Sequence, residues 1–260
     1  MTAHPWPAER VDELLRRPDA ASPCITHDGR HWNAGAFDAL VDEAAHALSR
    51  AGLRPGDRLA VLSSPRPEYL LLWMAASRIG AIYAGLNPRY TSAELGPVLA
   101  RLRPRLVAVL ERLDGEDLPA RIAASGCAAP LLRFAGIDGL VRALRSLPDA
   151  GALPPPDAAD AGLDPALSRC AAIVFTSGST GVPKAAMLTH EGLLLAARVQ
   201  HDRLGPDRPR MLCHLPINHV GCLMNLTLGA LAGGGSVVFL ERFDAGRTLE
   251  LLVRERITTW

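Results

Sequence analysis

The chain has 260 residues, with 28 basic and 27 acidic side chains and a formal net charge of +1. That balance lacks the basic footprint of a nucleic-acid or acidic-membrane partner. The longest apolar run, Leu70 to Ala76, is far short of the ~20 residues of a membrane span, so no integral membrane segment is expected.

An apolar fraction of 48% indicates a globular chain with a substantial core. The first ten residues lack the apolar centre of a secretory signal. The five cysteines, Cys24, Cys127, Cys170, Cys213 and Cys222, are scattered without C-x-x-C spacing, which suits reduced thiols in the cytoplasm.

From the N-terminus, Asp28-Gly29 between extended runs signals a two-residue hairpin across Cys24 to Trp32. The spacing of Phe37, Leu40, Val41, Ala44 and Leu48 predicts a helix that stops at Gly52. A turn at Pro55-Gly56-Asp57 precedes a buried strand, Arg58 to Leu62, and Pro67 opens a helix to Ile79. Ala81 to Leu86 reads as a strand, Asn87-Pro88 as a turn, and Thr91-x-x-Glu94 as a capping box. Arg105 to Leu110 is a further strand. A helix, a strand at Leu131 to Phe134 and another helix follow up to residue 147. Strands separated by helices imply an α/β fold of parallel sheets flanked by helices.

Residues 148–168 are rich in proline, alanine and aspartate and read as a linker or long loop. They separate an expected N-terminal α/β subdomain, 1–147, from a second, 169–260.

The second part opens on Ile173-Val174-Phe175, a buried-strand signature, followed by Thr176, Ser177, Gly178, Ser179, Thr180, Gly181, Val182, Pro183 and Lys184. Glycine and small hydroxyl residues let backbone N–H groups converge on an anion, and Lys184 adds a full charge. The Walker spacing G-x-x-x-x-G-K-[ST] is absent. Lys184 is the only lysine in a chain that uses arginine for every other basic side chain. A compact ammonium is not a guanidinium fork, so this position is marked by its chemistry.

Thr189 then caps a helix through Leu193, Leu194, Ala197 and Val199, whose N-terminal dipole is expected near the phosphate loop. Met211 to Leu215 reads as a strand, Gly221 to Ala232 as an apolar helix, Ser236 to Leu240 as a parallel strand and Arg242 to Arg254 as a helix. An extended run begins at Ile257. Cys213, His214, His219 and Cys222 invite a zinc reading. Their spacing fits no common ligand pattern, and Cys213 and His214 point apart on a strand.

The stretch T-S-G-S-T-G-V-P-K-A-A-M-L-T-H resembles the phosphate-loop motif of the adenylate-forming superfamily, which includes acyl- and aryl-CoA synthetases, firefly luciferase and peptide-synthetase adenylation domains. Ala185 stands where that family usually has glycine. Arg54 to Arg58 and Gly80 to Glu94 also look like family segments, but as packing and turn rather than chemistry. L-P-I-N-H-V-G resembles the L-P-[LM]-F-H-x-x-G segment of the acyl- and aryl-CoA branch, with Asn218 in place of the usual aromatic.

The resemblance implies the N-terminal part of the large domain of an adenylate-forming enzyme. Such an enzyme activates a small carboxylic acid with ATP and Mg²⁺ and passes the acyl group to coenzyme A. It implies that Thr176 to Lys184 hold the nucleotide phosphates and that Thr176 contacts Mg²⁺. Lys184, Thr176 and His219 would be catalytic, and His219, Val220, Gly221 and Met224 would line the acid pocket. On its bare sequence signal His219 also fits a hydrogen-bonded histidine at a strand-to-helix turn. The chain stops inside a predicted strand, so it is expected to continue in a longer protein. The rival readings are a non-catalytic nucleotide- or acyl-binding module and a phosphotransferase with an unusual loop.

Overall fold

The computed structural model describes residues 8–149, 153, 169–176, 183–204 and 207–260. Strands β1 (Pro23–His27) and β2 (Arg30–Asn33) pair antiparallel about Asp28 and Gly29, whose φ angles are 46° and 75°. Positive φ at both central residues is the hairpin geometry that Asp-Gly favours. Helix α1 (Ala34–Ala51) begins where the Asn33 side chain accepts the Ala36 N–H at 2.7 Å. It ends at Gly52, whose φ of 105° a side chain would resist.

The next elements are β3 (Arg58–Leu62), α2 (Pro67–Arg78), β4 (Ile82–Leu86), α3 (Ser92–Leu102) and β5 (Leu106–Leu110). Thr91 and Glu94 form the predicted capping box on α3. A two-residue pair, β6 (Arg112–Leu113) and β7 (Glu116–Asp117), precedes α4 (Leu118–Ala124), β8 (Leu131–Phe134) and α5 (Gly136–Arg145). The rest comprises β9 (Cys170–Thr176), β10 (Lys184–Thr189), α6 (His190–Leu204) and β11 (Arg210–Cys213). A π-helical segment, Gly221–Leu228, then runs into α7 (Gly229–Ala232), and β12 (Ser236–Phe239) and α8 (Ala245–Arg254) complete the described chain. At the end Thr259 bridges Met211 in parallel, so the predicted extended run adds to the β11 edge.

Six strands make one sheet in the order β10-β9-β4-β3-β5-β8, and four make another, β11-β12-β1-β2. In the larger sheet every neighbouring pair is parallel except the edge pair β9–β10. Most of the 148–168 stretch lies outside the described residues, but the sheets do not divide the chain there. Tyr83 of β4 pairs with Ala172 of β9, and Ile25 of β1 pairs with Val237 of β12. Each sheet therefore draws on both halves of the sequence, in place of two sequence-contiguous subdomains. The reason is physical: β4 and β12 are buried throughout and β9 up to Phe175, as strands inside a helix-covered sheet are, whichever half of the chain they come from.

Helix α2 packs on β3 and β4 of one sheet and on β1 of the other. All of Pro67 to Ser77 is buried, as expected for a helix that is apolar all round. Arg78 closes its end by reaching Asp12, Asp38 and Asp42 on the elements beside it.

His190, the last residue of the phosphate-loop-like stretch, is buried. Its Nδ1 accepts the Val11 N–H at 3.2 Å and ties the N-terminal 3₁₀ turn (Val11–Leu15) to α6. Burial, with the Arg10 charge adding to it, pushes the imidazole down to about 4. The folded chain therefore holds the neutral ring, while the unfolded chain takes up a proton near the ordinary value of 6.5. The stabilisation is complete above that value and is lost as pH falls towards 4. His190→Gln keeps an acceptor for Val11 and removes the titration. Urea midpoints measured at pH 7 and pH 5 are expected to differ less in this variant than in the wild type.

Candidate functional site

Strand β9 is buried from Cys170 to Phe175 and exposed only at Thr176. Trp73 of α2 fixes it from below, its indole N–H donating to the Ala171 carbonyl at 3.2 Å. The chain returns as β10 in a register that places Lys184 opposite Thr176 and Ala185 opposite Phe175. Thr176 and Lys184 are thus direct cross-strand neighbours at the mouth of the hairpin, with side chains on one face. Both are exposed, and no described ion pair engages Lys184. Pro183 is half-buried beside them. Ser177, Gly178, Ser179, Thr180, Gly181 and Val182 lie outside the described residues.

Ala185, where the resemblance expects glycine, lies in an extended strand without positive φ, so alanine fits there. One expectation changes here. Helix α6 does begin at Thr189, whose Oγ1 accepts the Gly192 N–H at 3.0 Å. However, Thr189 pairs with Cys170, at the opposite end of β9 from Thr176. The unexpected strand β10 carries the helix N-terminus a strand's length from the loop mouth, beyond the first-turn reach of its dipole.

The second part of the site follows β11. His219 closes a turn by donating its N–H to the Pro216 carbonyl at 3.1 Å, and its own carbonyl accepts the Cys222 and Leu223 N–H groups. Ile217 and Asn218 are buried, whereas Pro216, His219 and Val220 are exposed. Gly221 and Met224 are half-buried. The segment after the turn is π-helical, with the Gly229 N–H reaching the Met224 carbonyl. Among the described residues the Asn218 side-chain oxygen has no partner.

The buried side of this turn rests on β4. A Cβ at Gly85 would stand 2.8 Å from the Ile217 carbonyl carbon and 2.8 Å from the Tyr83 hydroxyl, and closer still to the carbonyl oxygen. The Tyr83 hydroxyl donates to that oxygen at 3.4 Å. Strand β4 lies parallel to β9. Gly85 near its C-terminal end and Thr176 at the C-terminal end of β9 therefore sit on the same edge of the sheet, the edge where parallel sheets take ligands. The Gly80–Glu94 segment, read from sequence as packing and turn alone, is the bed of the His219 turn. The signal available was a glycine inside a strand pattern, which marks close backbone approach.

The zinc reading finds no assembly. Cys213 and Cys222 are buried with their sulfurs 3.5 Å apart, and burial pushes the Cys222 thiol up. His214 instead accepts the Trp260 indole N–H at 3.3 Å. Among the described residues, ligand-type side chains gather at His27, Asp28 and Glu241 on the other sheet. There Glu241 already receives Arg66 at 3.0 Å and the Ser64 hydroxyl at 3.0 Å. A cavity of about 210 Å³ adjoins that group, and its Arg242, Arg247 and Arg254 are paired with acidic side chains. Neither feature belongs to the hairpin edge.

The family model described as AMP-binding enzyme matches residues 12–260. The chain is 30% identical over 250 residues to 4-coumarate–CoA ligase 3 of Arabidopsis thaliana, covering 91% of this chain and 42% of the relative. It is 30% identical over 256 residues to a feruloyl-CoA synthase of an Amycolatopsis species, covering 97% of this chain and 47% of the relative. Among solved structures, ATP-bound MatB from Rhodopseudomonas palustris superposes with a TM-score of 0.74 at 27% identity, covering 94% of this chain and 48% of that one. The inhibitor-bound N-terminal domain of FACL13 from Mycobacterium tuberculosis gives a TM-score of 0.76 at 25% identity, covering 96% of this chain and 62% of that one. The chain spans less than half the length of the curated relatives named. No helix among the described residues is long and apolar enough to cross a membrane.

Lys184 is exposed on an edge strand and supports no described ion pair, so its removal touches no packing. Lys184→Ala is expected to unfold within about 0.5 kcal/mol of the wild type, as exposed substitutions do. Denaturant midpoints check this.

Proposed function

The chain belongs to the AMP-binding enzyme family, and on that premise we propose that the protein is an ATP-dependent acid–thiol ligase. It activates a small carboxylic acid as an acyl-adenylate and passes the acyl group to coenzyme A. The observation that carries this reading is the pairing of Thr176 with Lys184 at the edge of the sheet where the His219 turn rests on β4. The named relatives, a 4-coumarate–CoA ligase and a feruloyl-CoA synthase, support an aryl or acyl acid with coenzyme A as the thiol.

In this reading Lys184 and the loop from Thr176 to Pro183 hold the β- and γ-phosphates of ATP. A carboxylate oxygen of the acid attacks the α-phosphorus, the bond to pyrophosphate breaks, and the coenzyme A thiol then displaces AMP. Charge grows on the phosphate oxygens, so an ammonium brought to them supplies part of the rate. The lysine suits that task because its stem can follow a moving phosphate as a point charge. Mg²⁺ takes oxygen ligands and keeps several from water and phosphate, and the exposed Thr176 hydroxyl is a fitting single ligand of that kind. When bound, the ion supplies charge neutralisation on the phosphates.

His219, Val220, Gly221 and Met224 line the acid's side of the site. The π-helical wind that follows His219 opens the backbone directly behind it, a feature that recurs at functional sites. We place the protein in the cytoplasm because its five cysteines are scattered without C-x-x-C spacing, as suits reduced thiols.

The decisive assay is carboxylate-dependent exchange of labelled pyrophosphate into ATP by the whole protein. Exchange is expected with an aryl or acyl acid and is expected to fall by about 10²–10³ in Lys184→Ala, the scale for loss of one preorganised charge-stabilising group. Formation of ADP, or no exchange with any acid, would end the proposal.

A further inference from the structure

The residues that carry the proposed chemistry do not hold themselves in place. The His219 turn has one face buried, at Ile217 and Asn218, and the other open, at Pro216, His219 and Val220. On the buried face the Ile217 carbonyl sits against β4 at a position where no side chain fits, beside the Tyr83 hydroxyl that donates to it. Tyr83 itself is fully buried between Trp73 and Tyr69, with ring centroids 5.6 Å and 6.5 Å away, so its hydroxyl has a fixed origin.

Further along, the Tyr69 hydroxyl pairs with Thr227 Oγ1 at 2.6 Å and receives the Cys222 thiol at 3.4 Å. Two tyrosines, from α2 and from β4, thus grip the segment on either side of His219.

We infer that Gly85 and Tyr83 are positioning residues for binding of the carboxylic acid. They set how far His219 stands out from the sheet, which fixes the depth of the pocket beside it. This rests on the ligase reading of the same site. Two consequences follow from the steric direction. A methyl group on Gly85 meets the backbone of the turn, and the turn is the side free to yield because its far face is exposed among the described residues. The yield runs outward, carrying His219 towards the acid. The β9–β10 pair joins β4 through Tyr83↔Ala172 and Ala84↔Ile173, on the backbone ladder, and none of the three atoms nearest the added methyl belongs to it.

The test is Gly85→Ala in the whole protein, followed in two ways. In pyrophosphate exchange, the KM for the acid is expected to rise about ten- to a hundred-fold, the cost of a displacement near 1 Å, while the KM for ATP stays within about two-fold. A bulkier acid should suffer more than a smaller one. In hydrogen exchange followed by mass spectrometry, the peptide covering 215–228 should exchange faster while that covering 170–176 is unchanged.

Tyr83→Phe removes the hydroxyl without adding bulk and serves if Gly85→Ala does not fold. It should show the same split at smaller size. Adding Tyr83→Phe to Gly85→Ala should not rescue it, because the carbonyl remains closer to the new methyl than the hydroxyl was. Equal rises in both KM values, or unaltered exchange of 215–228, would overturn the inference. Absence of carboxylate-dependent exchange in the wild type would instead remove the ligase reading, and hydrogen exchange alone would then judge the contact.

Discussion

The Ile217 carbonyl lies against β4 at Gly85, in space that any side chain on that strand would fill. Through that contact a turn following a strand of the smaller sheet is seated on the larger one. Cys213, the last residue of β11, lies only four positions before Ile217, so the smaller sheet cannot shift without pulling on the turn. The β9–β10 pair, by contrast, is built entirely on the larger sheet. Its geometry relative to His219 therefore depends on how the two sheets meet. The joint is backbone against backbone, which leaves little freedom for compromise.

A second joint holds the same sheets together through charge. Glu241, just beyond β12, receives His27 from β1, and Arg66 and Ser64 from the segment after β3. Burial alone would raise a carboxyl group, yet Glu241 is held below the usual range because His27, Arg66 and Ser64 all favour its charged form. Such clusters add little net stability over well-packed apolar groups, since desolvation consumes most of the attraction. Their effect is geometric: one carboxylate satisfied by partners from both sheets permits one arrangement of those sheets. Arg17 acts likewise, donating to the carbonyls of Pro23, Gly234 and Gly235 and tying the N-terminal segment to the turn before β12.

The local elements were legible because each carries its own punctuation. Asp28-Gly29, Gly52 and Thr91-x-x-Glu94 act through backbone torsions or a cap within a few residues, so their sequence signal is complete on its own. Strand β10 was not legible. K-A-A-M-L-T lacks the alternation of a half-buried strand because four of its six residues are exposed, on an edge whose pairing is supplied by β9. The sharing of both sheets between the two halves of the chain was hidden for a related reason. Pairing of Ile25 with Val237 reflects relative burial of whole strands and leaves no mark at either residue. The run of glycine and hydroxyl residues after β9 was visible as candidate phosphate chemistry, and the bed under His219 only as one glycine in a strand.

The chain's preference for arginine has a structural counterpart that sharpens the meaning of its lysine. Arg58 donates to the carbonyls of Leu102, Gly56 and Arg103, and Arg78 reaches three separate aspartates. Both spend the planar fork on several fixed acceptors at once, which an ammonium on a flexible stem cannot reproduce. Each of these two arginines is a multi-point tie, one to backbone carbonyls and the other to carboxylates. Lys184 stands at the opposite extreme, exposed on an edge strand and opposite a threonine, with no described acceptor to hold it. A residue type used once, at an exposed position with no described tie, suits the proposed phosphate role, in which a guanidinium would bring a rigid fork where one mobile charge serves.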